Sequence, residues 1–184
     1  MEYIKAYDDV VTEDWCDSLI EKFESNLNRI RERRPHTDHP NMMYDEINLI
    51  DHPDLFEEET KHLLTIFDSM VGHYAKDCDI IKYQWPEKIA WEAFRIKKYV
   101  AGTGYFKPHC DAFNLASCNR FLVYFLHLTD GPGGGTHFNK HKVTIPRKKG
   151  RLVMFPPTWQ YPHEGEMPFE NDKYIVGAHL RFAN

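Results

Sequence analysis

The sequence predicts a mainly β, α+β protein in which N-terminal helices support a double-stranded β-helix, or jelly-roll, core. Three observations predict it. Apolar residues recur at helical spacing in two stretches before Cys78. Beyond Cys78 the chain breaks into short alternating or wholly apolar runs. Gly/Pro turns separate those runs, the strongest being Gly131-Pro-Gly-Gly-Gly135. Many short strands between such turns denote a sandwich or barrel. A length of 184 residues suits one domain with a sizeable core rather than two. Residues 1–184 therefore read as a single domain, with 1–78 a helical support region and 79–184 the jelly roll.

Val11 to Ile30 reads as the first helix. Thr12 is a good N-cap, and Glu13 and Asp14 suit the positive end of the helix dipole. Trp15, Leu19, Ile20, Phe23, Leu27 and Ile30 form one apolar stripe. Arg31 to Pro53 is polar, broken by Pro35, Pro40 and Pro53, and reads as a long loop; such loops are often functional. Its histidines, His36, His39 and His52, lack metal-ligand spacing. The second helix runs from Asp54, a plausible cap, to about Asp77, burying Leu55, Leu63, Ile66, Phe67, Met70, Val71 and Tyr74.

Ala93 to Tyr99 alternates apolar and charged residues, as a half-buried strand does. Ala101 to Gly104 is a turn. Arg120 to Leu128 is apolar on both faces and belongs at the centre of the sheet. Further strands are expected at Thr136–Phe138, Val143–Ile145, Leu152–Phe155 and Tyr174–Phe182.

Composition excludes several classes. The formal net charge is −5, with no large basic block, which argues against a nucleic-acid surface. Arg31-Glu-Arg-Arg34 and Arg147-Lys-Lys149 read as solvated turns. Cys16, Cys78, Cys110 and Cys118 fit no zinc or redox pattern. No apolar run approaches membrane-span length and no signal core opens the chain. A cytoplasmic protein without membrane contact is expected.

One constellation carries chemistry. His109 and Asp111 are two positions apart, so on extended backbone they share a face while Cys110 turns away. A second histidine, His163, follows the proline-rich Phe155-Pro-Pro-Thr-Trp-Gln-Tyr-Pro approach. Two imidazoles and a carboxylate with open coordination positions make the facial triad of non-haem Fe(II) oxygenases. Lys173, ten residues beyond His163, opens the last strand. A lysine aimed into a barrel is costly unless paired, and an anionic cosubstrate would pair it.

From Phe94 to Phe182 these pieces, in order, resemble the prolyl 4-hydroxylase-like branch of the Fe(II)/2-oxoglutarate dioxygenases. The matching segments are Tyr99 with Gly102-Thr-Gly-Tyr105, Pro108-His-Cys-Asp111, Arg120, Gly134-Gly-Thr-His-Phe138, Ile145 to Phe155, and His163 with Lys173. The resemblance implies a catalytic jelly roll in which His109, Asp111 and His163 bind Fe(II) and Lys173 anchors 2-oxoglutarate. It implies that Thr136 and Tyr99 help hold that cosubstrate. It implies that Tyr105 and Arg120 hold a proline-containing peptide or protein substrate. The implied reaction couples decarboxylation of 2-oxoglutarate by O2, to succinate and CO2, with hydroxylation of a peptidyl proline, supported by ascorbate.

Two departures matter. Relatives commonly carry tyrosine where His127 stands; this histidine either bonds 2-oxoglutarate or is a satisfied core residue. One residue is added between Tyr105 and His109, which alters the aim of Tyr105. Strand alternation places His127 on one face with Phe121, Val123 and Phe125. His137 and His141 are not read as ligands, and His179 is read as structural. Alternatives remain: the same oxygenase chemistry on a free amino acid or other small molecule, or a non-catalytic jelly-roll binding module. The module should lack a ligand or the anion clamp, and this sequence has both.

Overall fold

The computed structural model describes residues 2–35 and 41–183. His36 and His39 lie outside them. In chain order the elements are β1 (Lys5–Tyr7), α1 (Glu13–Glu24), β2 (Arg31–Arg33), β3 (Met42–Asn48), α2 (Pro53–Asp77) and β4 (Ile89–Tyr99). There follow β5 (Tyr105–His109), β6 (Arg120–His127), β7 (Thr136–Phe138), β8 (Val143–Ile145), β9 (Leu152–Phe155), β10 (His163–Gly165) and β11 (Lys173–Phe182).

The strands are antiparallel and run β1-β9-β6-β11-β4-β3-β5-β10-β7-β8, with β2 paired to β3. β3 pairs with β4 in one sheet and with β5 in the other, so it joins the two sheets of the jelly roll. The major sheet separates two cores. On its outer face Phe94, Ile96, Leu122, Tyr124, Val176 and Leu180 pack with Leu19 and Phe23 of α1 and Leu63 and Phe67 of α2. On its inner face Tyr99, Val123, Phe125 and Ile175 meet Phe138, Val153 and Phe155.

Local chemistry explains the helices. Thr12 caps α1, its Oγ1 accepting from Trp15 N at 3.3 Å. α1 stops at Glu24, and a short 3-10 turn over Leu27–Arg29 covers the remainder of the expected helix. α2 starts one residue before the expected position. Pro53 occupies the first turn, where its missing N–H costs nothing. Asp54 is therefore not the cap; it sits in that turn and pairs with Arg29 at 3.2 Å.

The long loop expected over Arg31–Pro53 is a correction. It contains β2, β3 and a 3-10 turn, Leu49–Asp51. β3 was hidden because its short run, Met-Met-Tyr-Asp-Glu-Ile-Asn, mixes acids with apolar residues, and prolines bracket it. Its acids are accommodated by pairing: Glu46 with Arg33, and Asp45 with Arg34 at 2.7 Å. Arg31–Arg33 is accordingly a strand and not a turn.

Two bulges set which side chains face inward. Opposite β11, Gly177 pairs with Arg95 but His179 pairs with Glu92, so β4 carries one extra residue there. Ala93, with φ of 33°, lies in that stretch. On the other side, Leu180 pairs with Leu122 but Arg181 with Arg120, so β6 carries an extra residue at Phe121. Bulges bend a strand and re-aim its side chains. Trp91 consequently packs outward on Phe67 and Tyr124, with ring centroids 5.7 and 4.8 Å away. Phe121 packs against Trp85 and Phe182 rather than sharing the inner face with Val123 and Phe125, contrary to simple alternation. Glu92 and Arg120 are left facing one another.

Candidate metal centre and anion pocket

β5 ends at His109, and Asp111 follows just past the strand end. Its backbone is held there by the N–H of Asp111 donating to Pro157 O at 3.0 Å. β10, a three-residue strand that no alternation marks in the sequence, pairs His163 directly with His109. One ligand atom from each of His109, Asp111 and His163 lies within 4.8 Å of the others. His109 Nε2 is 3.6 Å from Asp111 Oδ1, and His163 Nε2 is 3.4 Å from Asp111 Oδ2.

The donor set fits a divalent ion. His109 Nδ1 is 2.8 Å from Lys107 O, and His163 Nδ1 is 3.1 Å from Tyr161 O. Those carbonyls hold the ring proton on Nδ1 and leave Nε2 as a lone-pair donor. Both Nε2 atoms and Asp111 Oδ2 are buried without hydrogen-bond partners. Two bonds of about 2.1 Å at a right angle place ligand atoms about 3 Å apart, close to the spacing found. Phe106 stacks on His109 at 3.6 Å between centroids, and Phe155 meets His163 at 4.6 Å, which fixes both rings. Burial disfavours ionisation of Asp111, but the neighbouring His163 and His109 outweigh it and hold the carboxyl well below its usual range.

Beside this centre is a small cavity lined by Tyr99, Phe106, His109, Thr136, His163 and Lys173 among others. Lys173 pairs with Tyr99 across β11 and β4, and its Nζ lies 4.9 Å from the Tyr99 ring centroid. Lys173 is 1% exposed and makes no ion pair among the described residues. Burial first, then the Arg147 charge, pushes its ammonium down to about 7. A buried cation lining this small cavity calls for an anionic partner, and the distal carboxylate of a small diacid is one. His127 is fully buried, with both ring nitrogens unpartnered. Burial and Lys173 keep it neutral. No described residue accepts a hydrogen bond from its ring or donates one to it.

The expected site residues divide clearly. His109, Asp111, His163, Lys173, Tyr99 and Thr136 converge, whereas His127, paired with Ile175 across β6 and β11, does not line the cavity. Arg120 borders a wider groove on the Asp111 side and donates to Asp111 O at 2.9 Å. Its remaining N–H groups clasp Glu92. Tyr105 lines neither the cavity nor the groove; its ring lies by Lys107, and Phe106 faces the metal site instead. Arg181 is exposed at the end of β11.

Four residues were missed. His179, read as structural, approaches Asp111 Oδ2 at 3.5 Å. The charged side of β4, Arg95 and Lys97, faces the groove. Arg147, read as part of a solvated turn, is 4% exposed. Its guanidinium donates to Gly131 O, Asp172 O and Asn171 Oδ1 at 3.1, 3.1 and 2.8 Å. It thereby ties the glycine turn to the start of β11. Gly134, at φ of 68°, passes so close that an added Cβ would lie 3.2 Å from both Arg147 and Lys173.

A jelly roll that gathers two histidines and an aspartate beside a buried lysine has the donor set of a facial-triad metal centre, with a cation next to it. Residues 94–181 match the family model of the 2OG-Fe(II) oxygenase superfamily. The family implies Fe(II), 2-oxoglutarate and O2, and the donor set above fits them. The whole chain superposes on solved prolyl hydroxylases. The viral collagen prolyl hydroxylase of Paramecium bursaria Chlorella virus-1, in complex with 2-oxoglutarate, is 19% identical at a TM-score of 0.69, covering 99% of this chain and 97% of that one. A prolyl-4-hydroxylase of Pseudomonas putida is 16% identical at 0.70, covering 100% and 95%. A Trichoplax adhaerens prolyl hydroxylase, solved with a hypoxia-inducible-factor peptide fragment, is 13% identical at 0.69, covering 98% and 84%. At these identities the likeness establishes the double-stranded β-helix fold. No curated protein matches the sequence.

Proposed function

We propose that this protein hydroxylates a prolyl residue of a peptide or protein substrate, as an Fe(II)- and 2-oxoglutarate-dependent dioxygenase. The observation that carries the reading is the convergence of His109, Asp111 and His163 beside the buried, unpaired Lys173. The prolyl assignment draws on the ordered motif resemblance and on the prolyl hydroxylases that share the fold.

In this reading His109, Asp111 and His163 hold the ferrous ion, and Lys173 holds the distal carboxylate of 2-oxoglutarate. When bound, the ion and cosubstrate supply the oxidising chemistry, releasing succinate and CO2 as substrate is hydroxylated. The protein supplies position and shielding. Tyr99 and Thr136 wall the cosubstrate cavity, and His127 offers a neutral ring nitrogen. Phe106, Phe125 and Phe155 keep the His109 and His163 rings in apolar surroundings. The groove bounded by Asp111, Phe113 and Arg120 receives the substrate chain, with Arg120 at its wall; Tyr105 would take part only through a movement of β5. Ascorbate would serve to keep the iron reduced. Four free cysteines suit a reducing compartment such as the cytoplasm. Among the described residues no helix is long and apolar enough to cross a membrane.

The test is mass spectrometry of proline-containing peptides incubated with the protein, Fe(II), 2-oxoglutarate and ascorbate. A gain of about 16 Da on proline, the mass of one oxygen atom inserted by this chemistry, is expected. Turnover of 2-oxoglutarate stimulated by free proline, and not by peptides, would replace the peptide substrate with a small molecule.

A further inference from the structure

We propose that the groove beside the metal centre recognises a carboxylate on the substrate, through Arg95 and Lys97. The proposal rests on the oxygenase reading and narrows its substrate class.

The inner face of β4 presents Arg95, Lys97 and Tyr99 in succession, opposite Gly177, Ile175 and Lys173 of β11. Arg95 and Lys97 line the groove that also contains Asp111, and Lys97 borders the Lys173 cavity as well. Lys97 is held in place by aromatic faces. Its Nζ lies 5.1 Å from the Tyr44 ring centroid and 5.9 Å from those of Phe106 and Phe125.

Charge counting separates these two cations from the others. Arg33, on the groove wall, is paired with Glu46, and Arg120 is paired with Glu92. The remaining carboxylate of the groove, Asp111, belongs to the ligand set. Arg95 and Lys97 form no ion pair with any described residue. Among the described residues, and with Asp111 left to the ligand set, the groove therefore carries two unpaired positive charges in a chain whose formal net charge is −5. A half-enclosed cleft of one sign concentrates ligands of the other sign. Arginine offers a planar fork that matches a carboxylate, and lysine a point charge beside it. Gly177, directly opposite Arg95 on the facing strand, leaves room: a Cβ there would already touch Phe125 and Lys97 at 3.6 and 3.8 Å. An acidic side chain next to the hydroxylated residue, or the α-carboxylate of a free amino acid, presents the required chemistry.

Calorimetry distinguishes the sources. The protein is loaded anaerobically with Fe(II) and 2-oxoglutarate, and loading is read from its visible charge-transfer band. Absence of that band would reject the oxygenase reading; the groove is then titrated in the unloaded protein. The probes are three otherwise identical peptides with Glu, Gln or Lys before proline, and free proline against prolinamide. The Glu peptide is expected to bind about tenfold more tightly than the Gln peptide, the scale of one charge-assisted contact. The Lys peptide should bind more weakly still. The double variant Arg95→Met, Lys97→Met should remove the preference while keeping the circular-dichroism spectrum; if it does not fold, Arg95→Gln and Lys97→Gln are measured singly. A preference for proline over prolinamide, lost in the variants, with no peptide bound, would keep carboxylate recognition and discard the peptide substrate. Equal binding within both probe sets would overturn the proposal. So would a preference that survives in the variants while only 2-oxoglutarate affinity changes.

Discussion

Asp111 Oδ2 stands 3.4 Å from His163 Nε2 and 3.5 Å from His179 Nε2, so a histidine outside the candidate ligand set faces the same oxygen as a member of that set. His179 is buried on β11 and pairs with Glu92 of β4. Its ring is placed to orient the carboxylate, the kind of support on which metal affinity depends. His179→Ala should weaken iron binding by about 10- to 100-fold. His179→Gln, which keeps an N–H donor, should recover part of that loss. Iron titration of the purified variants measures both.

Asp111→Ala removes the anionic ligand itself. Turnover should fall to background and the visible band with Fe(II) and 2-oxoglutarate should disappear. Normal activity in this variant would reject the metal assignment.

Lys173→Ala should raise the 2-oxoglutarate requirement about a hundredfold, the scale of a lost buried charge pair. Iron affinity should change little. An unchanged requirement would point to another clamp, and the exposed position of Arg181 makes it a poor one.

Lys173 also sets a pH dependence. Burial depresses its folded value from an ordinary 10.5 to about 7. Between these values the unfolded chain holds a proton that the unliganded fold has released. Unliganded stability should therefore rise with pH from about 7 towards 10.5. Thermal melts across that range should show the rise, and Lys173→Met should remove its share. A bound dianion favours the ammonium, so above about pH 7 binding of 2-oxoglutarate takes up a proton and its affinity falls. Calorimetry in two buffers of different ionisation enthalpy measures that uptake.

Arg147→Ala leaves the carbonyls of Gly131, Asp172 and Asn171 without their donor. A loss of about 3 kcal/mol in stability is expected from several unsatisfied buried groups. Denaturant titration measures the loss. The 2-oxoglutarate requirement should rise with it, because the turn that positions Lys173 loosens.

Much of this was legible in the sequence. Helical periodicity and the Thr12 cap marked α1 and α2, and glycine turns marked the strands from β6 to β9. The cluster of His109, Asp111 and His163 was legible because His-x-Asp, a distant histidine and a following lysine form an ordered set. What stayed hidden depends on pairing. β3 has mixed polarity because Arg33 and Arg34 neutralise its acids. β10 is only three residues long. The inward aim of Arg95 and Lys97 was not visible, because alternation gives two faces without saying which one meets the helices. Arg147 sits in a basic run, and only the carbonyls gathered around it reveal that it is buried. His179 gave no signal beyond its position at the end of an apolar strand.

The extra residues at Ala93 and Phe121 act as phase shifters. Each offsets one end of a strand by a single step, and together they turn an acid and a guanidinium toward the same interior point. Were β4 to alternate without a break from Arg95, Ala93 and Trp91 would face that wall and Glu92 would turn away, with no letter of the chain altered. The lining of this barrel is thus written in the count of residues as much as in their kinds. Aligning such chains by composition alone would assign the wrong side chains to the wall.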